Sequence, residues 1–241
     1  MSSPLNRPQE RPEEPAGGAP AERPAASEPG AADGGAVASA PTPRRLGSGL
    51  LSLASIAGLT WLIFAFGAAR HDPAAVVLWS GAPALRWVQL VLQFLAVMLV
   101  VPGLATPNPT SVAQQGLLER SDTVKGMLRI TRHPFLWGVA IWGFGHLLVN
   151  GDVAGVVLFG SLLALALFGT VSIDAKRKRA LGDTWDAFAA QTSNVPFAAI
   201  LAGRQKLSIG EVGWLRLALG VAVYAALLFI HPYAFGASPM P

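Results

Sequence analysis

The chain has 241 residues, of which 52% are apolar and only 13% charged. This is too apolar for an ordinary soluble domain of its size and points to an all-α, polytopic membrane protein. The net charge of +4 does not imply a nucleic-acid partner, because Lys and Arg cluster at the edges of apolar segments rather than along one soluble face. Cysteine is absent, which excludes disulfides, thiolate nucleophiles and Cys-ligated metals, so any metal site would use His and oxygen ligands.

Residues 1–43 are rich in Pro, Ala, Gly and Glu, with almost no large apolar side chains to offset chain entropy, and are expected to form a disordered tail. The membrane domain is expected to occupy residues 46–241. Its five candidate spans lie at about 49–68, 87–105, 135–150, 153–173 and 214–230, judged against the roughly 20 apolar residues that cross a hydrocarbon core. Only "GD" separates the third span from the fourth, which predicts a tight helical hairpin. "VPFAAIL" (195–201) is too short to cross and is expected at the interface.

"DAKRKRALGDTWDAFAAQ" sets Leu181, Trp185 and Phe188 at helical spacing behind a basic cluster. That pattern suits a helix lying on an anionic leaflet, or a stop-transfer cluster followed by a connecting helix. Earlier, "TRHPFLW" places Pro134 where a first helical turn tolerates it, with Thr131 or a neighbour as cap. Arg129, Arg132 and His133 would then line the inner mouth of the third span.

His146 stands inside that span, and ionisable groups in a membrane are costly enough to need a partner or a cavity. Trp142, His146 and Asn150 share one face at spacing four, while Gly138, Gly143 and Gly145 admit a neighbouring backbone. The imidazole either glues two helices or serves a site. Thirteen residues of helix separate it from His133 by roughly 20 Å, so the two cannot share a metal. His71, His146 and His231 all approach the outer side in this topology.

The blocks "GMLRITRHPFLWGVAIWGFGHLLVNGD", "VLFGSLLALALFG", "SIDAKRKR", "TSNVPFAAILAGR" and "HPYAFGASP" resemble the NnrU family of bacterial membrane proteins, in order and from about Leu46 to the end. That family is associated with denitrification and nitric oxide metabolism. Its resemblance in turn to haem-dependent plant zeta-carotene isomerases implies that His146 is an axial ligand of haem b; their second ligand lies in an early membrane helix and has no matching histidine here, so either His71 or His231 substitutes, or the site is incomplete, or haem is absent. The implied substrate is a lipid-soluble polyene; the alternative is a non-catalytic accessory protein in nitric oxide or haem metabolism. Arg132, His133, Pro134 and Gly138 also resemble the RHPxYxG pattern of isoprenylcysteine carboxyl methyltransferases, with Leu136 at the tyrosine position and Asp174 nearest to the acidic one. That likeness implies S-adenosylmethionine.

The resemblance implies a bacterial inner membrane, and the charges suggest an orientation. Twelve residues (Arg44, Arg45, Arg120, Lys125, Arg129, Arg132, Lys176, Arg177, Lys178, Arg179, Arg204, Lys206) fall on one side of the spans, against Arg70 and Arg86 on the other. The richer side should be cytoplasmic, as should the N-terminus. Reporter fusions after Lys206 should behave as cytoplasmic and fusions after Pro241 as periplasmic. The opposite pattern would invert the topology.

Overall fold

The computed structural model describes residues 43–111 and 123–240. The chain divides into Met1–Gly49 and a unit spanning Leu50–Pro241. The expected tail lies outside the described residues apart from Pro43, which begins the first helix.

The structure is mainly helical. The apolar runs become α1 (Pro43–Arg70), α2 (Pro83–Leu104), α4 (Pro134–Val149), α5 (Val153–Leu181) and α9 (Trp214–Phe235), joined by the short helices α3 (Met127–Ile130), α6 (Asp183–Gln191), α7 (Ala198–Leu201) and α8 (Ile209–Val212). α2, α5, α9 and the Ser52–Arg70 part of α1 are long and apolar enough to cross a bilayer, which makes this a membrane protein. α4 has 16 residues, about 24 Å of helix against a hydrocarbon core of about 30 Å. It is accommodated because it is the inner helix, packed between α2 and α5, while α9 lies on the other side of α2.

Glycine sets how closely these helices approach. A Cβ at Gly138 would strike the Val100 side chain and stand 2.9 Å from the Ala96 carbonyl of α2. One at Gly143 would stand 2.9 Å from the Phe159 carbonyl of α5. Between membrane helices there is little hydrophobic drive, so backbone approach and van der Waals contact must supply the association. α1 is the exception to this packing. None of its apolar window is buried, and it touches the other elements sparsely.

The hairpin between α4 and α5 is tight, as the two-residue linker implies, but it also forms a strand. β2 (Asn150–Asp152) pairs antiparallel with β1 (Val77–Ser80), Trp79 opposite Gly151. Asp152 then caps α5, its carboxylate accepting from Gly155 N at 2.7 Å.

At the other end α5 continues through the basic cluster to Leu181, and Gly182, at φ 50°, turns the chain into α6. The apolar stripe of α6 does not lie free on a leaflet. Trp185 and Phe188 are buried against Leu128 of α3, with Val124 and Leu181 packed around them, so protein covers the face that would otherwise seek lipid. "VPFAAIL" does not cross; it forms the single turn of α7, with Leu201 exposed.

Gly138→Val should lower stability by about 1 to 3 kcal/mol, the range for overpacking against atoms that cannot move aside. Gly160→Ala, where a Cβ would meet nothing within 4 Å, should be nearly neutral. Thermal unfolding in detergent checks both, and equal effects would show that α4 and α2 are not closely apposed.

Candidate functional site

The basic motif and the membrane histidine occupy opposite ends of α4. His133 immediately precedes the helix and His146 lies in its last turn, as their spacing requires.

At the basic end the structure gathers the motif around Asp174 of α5. Arg132 reaches both carboxylate oxygens, with contacts of 3.0, 3.0 and 2.6 Å. His133 Nε2 donates to Asp174 Oδ1 at 2.7 Å, and Asn194 Nδ2 donates to Oδ2 at 3.2 Å. Trp137 Nε1 donates in turn to Asn194 Oδ1. The guanidinium also sits 5.8 Å from the Trp185 ring centroid. Its own carbonyl accepts from Asn108 and Thr110, and the His133 side chain is only 1% exposed. The expected Thr131 cap takes another form. His133 is the cap residue of α4 with no side-chain cap bond, while Thr131 Oγ1 accepts from His133 N and donates to the Asn194 carbonyl.

Arg129 faces a different partner. It contacts both oxygens of Glu211 in α8 at 2.7 and 2.9 Å and donates to Gln205. Arg129 and the Gly126 N–H together hold the Glu211 carboxyl below its ordinary pKa. Pro134 packs against Gly103 of α2, in line with the Gly138 approach. The motif thus clamps the start of α4 to α5 and to the loop after α6.

At the hairpin end, His146 Nδ1 lies 2.9 Å from the Trp142 carbonyl, so that nitrogen carries the proton. No hydrogen bond is made by Nε2 among the described residues. The imidazole is stacked on Phe159, centroids 4.6 Å apart at 20°, with Trp142 tilted at 4.6 Å on the same ring. Asn150 Nδ2 donates to the His146 carbonyl, and Arg70 donates to Asn150 Oδ1, tying the end of α1 to the end of α4. Trp142, His146 and Asn150 therefore do share a face.

His231 and Arg70 lie within electrostatic reach of His146. His231 has the same arrangement, Nδ1 on the Ala237 carbonyl at 2.8 Å. His71 is exposed and bonded to the Gly67 carbonyl at the end of α1, which it follows. The three do not form a common metal centre, since no group of three His, Cys, Asp or Glu residues among the described ones could hold an ion. A haem iron asks for less. An imidazole with Nδ1–H fixed on a carbonyl is the donor an axial ligand supplies; His146, His231 and His71 all have that bond, and His146 and His231 are the two that are partly buried.

Asp174 as the shared acceptor, Asn194, Glu211 and Phe159 were not legible as partners. Asn194 lies in the "TSNVPF" block and Asp174 opens "DAKRKR", yet nothing local in either marks the residue it meets 20 to 42 positions away.

These features define a polytopic helical membrane protein with one clamped polar end and a partly buried histidine at the hairpin end of α4. The family model described as NnrU protein matches residues 40–239, and the chain belongs to that family. It is similar to a 15-cis-zeta-carotene isomerase, chloroplastic, of Arabidopsis thaliana, with 30% identity over 176 residues, 70% of this chain and 46% of that protein. A protein of the same description from Zea mays is 39% identical over 82 residues, 34% of this chain and 22% of that one. The chain thus spans less than half the length of these relatives. No solved structure matches it significantly.

Asp174→Ala leaves Arg132 and His133 without their anion and should cost about 1.5 to 3 kcal/mol, the range for hydrogen bonds to charged groups. Glu211→Ala, at a more exposed pair, should cost about 1 kcal/mol or less. Because the Glu211 pKa is lowered in the folded state, that smaller contribution is present above the ordinary Glu range and is lost as pH falls through the folded value. Denaturation of the two variants in detergent decides the order, and an equal loss would remove Asp174 from its place at the centre of the clamp.

Proposed function

We propose that this NnrU-family protein binds haem b through His146 in a bacterial inner membrane and acts as an isomerase on a lipid-soluble polyene. The association with denitrification and nitric oxide metabolism would be the setting in which it works. One observation carries the reading: an imidazole in the last turn of apolar α4 whose Nδ1–H is fixed on the Trp142 carbonyl while Nε2 makes no hydrogen bond among the described residues. Similarity to proteins described as 15-cis-zeta-carotene isomerases supports it. His231, with its own Nδ1 tied to Ala237, is the better candidate for second ligand than the exposed His71.

When bound, the haem would supply a Lewis-acidic or redox-active iron. The chain's own residues do the rest. The Trp142 carbonyl fixes the tautomer and aims Nε2 away from the helix. Phe159 and Trp142 pack on the imidazole and keep water from it. Asn150 and Arg70 hold the hairpin end of α4, so the ring is presented from a fixed backbone.

A binding protein without turnover is the second reading, favoured by the absence of a carboxylate within hydrogen-bond reach of His146 among the described residues. The S-adenosylmethionine reading fares less well. Arg132 and His133 are committed to Asp174, which supports a structural part for that motif.

Wild-type protein expressed with ample haem and purified gently should show a Soret band. His146→Ala should abolish or strongly change that band while the protein still inserts, and His133→Ala, about 20 Å along the helix, should spare the spectrum. Absence of Soret absorption in the wild type would sink the haem reading. A spectrum without conversion of an added polyene would leave the accessory protein standing.

A further inference from the structure

We propose that the groove between α1 and α5 seats a linear, unsaturated hydrocarbon chain that enters sideways from the lipid. The inference deepens the isomerase reading and rests on it for the choice of a polyene, but the groove itself is a feature of packing.

α1 is pinned at one end and loose along the rest. Arg70 donates to Asn150 at 3.0 Å and lies 6.0 Å from the Phe66 centroid, while the Phe66 edge meets Phe159 at 5.8 Å and 76°. Beside these pins, α1 and α5 leave a cavity of about 520 Å³ between them, walled by Trp61, Ala65 and Phe66 on one side and Val153, Ala154 and Val157 on the other. That volume falls within the roughly 300 to 1,000 Å³ of small-molecule sites. In water such an apolar gap would favour collapse. In a bilayer, where lipid tails are as apolar as the helices, nothing drives closure, and the gap persists for a hydrocarbon guest.

The lining selects the guest. Trp61 and Phe66 offer π surfaces, Ala65 and Ala154 give room, and the acidic Asp72 stands at one end. Its carboxylate, which accepts from Ala74 N, opposes the phosphate of a phospholipid but is indifferent to a chain with no headgroup. Recognition would therefore be by shape and dispersion, without hydrogen bonds. Phe66 of the wall touches Phe159, and Phe159 stacks on His146. The groove is thus one aromatic ring removed from the candidate ligand.

The test uses the full chain in phosphatidylcholine nanodiscs with two photoreactive probes, a diazirine-tagged linear C30 isoprenoid hydrocarbon and a diazirine-tagged phosphatidylcholine. Peptide mapping should find the isoprenoid label concentrated on residues 61–66 and 153–158 and reduced at least tenfold by excess squalene. Ala154→Trp and Ala65→Phe, filling the groove from opposite walls, should each lower the label at least tenfold; because Ala65 lies on the sparsely packed helix, its variant keeps the test decisive if the other misfolds. Label no denser there than on the lipid-facing Phe64 and Phe229, or equal displacement by the phospholipid, would overturn the proposal in favour of annular lipid. Labelling needs neither haem nor turnover, so a saturable groove in a protein with no Soret band would uphold the groove and sink the isomerase. Polyene conversion by wild-type protein whose groove takes no saturable label would do the reverse.

Discussion

One carboxylate organises the basic end of this protein. Asp174 receives Arg132, His133 and Asn194 together, and without it the buried His133 ring and the partly buried Arg132 guanidinium would lose their shared acceptor. Two consecutive motif residues therefore must face α5, and with them the start of α4 is set in height and rotation. Helical periodicity does the rest. Thirteen positions further on, the same helix delivers His146 onto Phe159 of α5, the helix that carries Asp174. The motif at one end and His146 at the other thus both meet α5.

The bundle follows from what a bilayer withholds. Without hydrophobic drive between helices, α4 is held by close backbone approach at Gly138 and Gly143 and by polar ties such as Gln93 to the Trp142 carbonyl at 3.2 Å. That carbonyl is also the partner of His146. α2 thus reaches the candidate ligand through one shared acceptor. α1 has few such ties and rests mainly on Phe66 and Arg70, leaving an apolar space beside α5.

The likeness to plant isomerases and the geometry of His146 meet at one point: an imidazole whose Nδ1 is held on the Trp142 carbonyl. Membership of the NnrU family carries the fold with it, while chemistry has to be argued from the site. Around His146 the structure offers an aromatic wall and a fixed tautomer.

Much was legible in order along the chain. The five apolar runs became the five long helices, because burying backbone polar groups in hydrocarbon leaves a chain of this composition little choice but helix. Pro134 opened α4, and Trp142, His146 and Asn150 fell on one face, because both follow from local backbone geometry. The rest needed three dimensions. The apolar stripe of α6 suited a leaflet as well as a protein surface, and only α3, more than fifty residues earlier, decided that protein covers it. Arg132 and His133 could have faced solvent, headgroup or cofactor until Asp174 came within 3 Å. The sequence by itself determined helices, their order and the residues on each face, since these depend on neighbours within a turn or two. Which faces meet depends on rotation and depth between segments far apart in the chain, so the partner of each histidine was decided by tertiary packing alone.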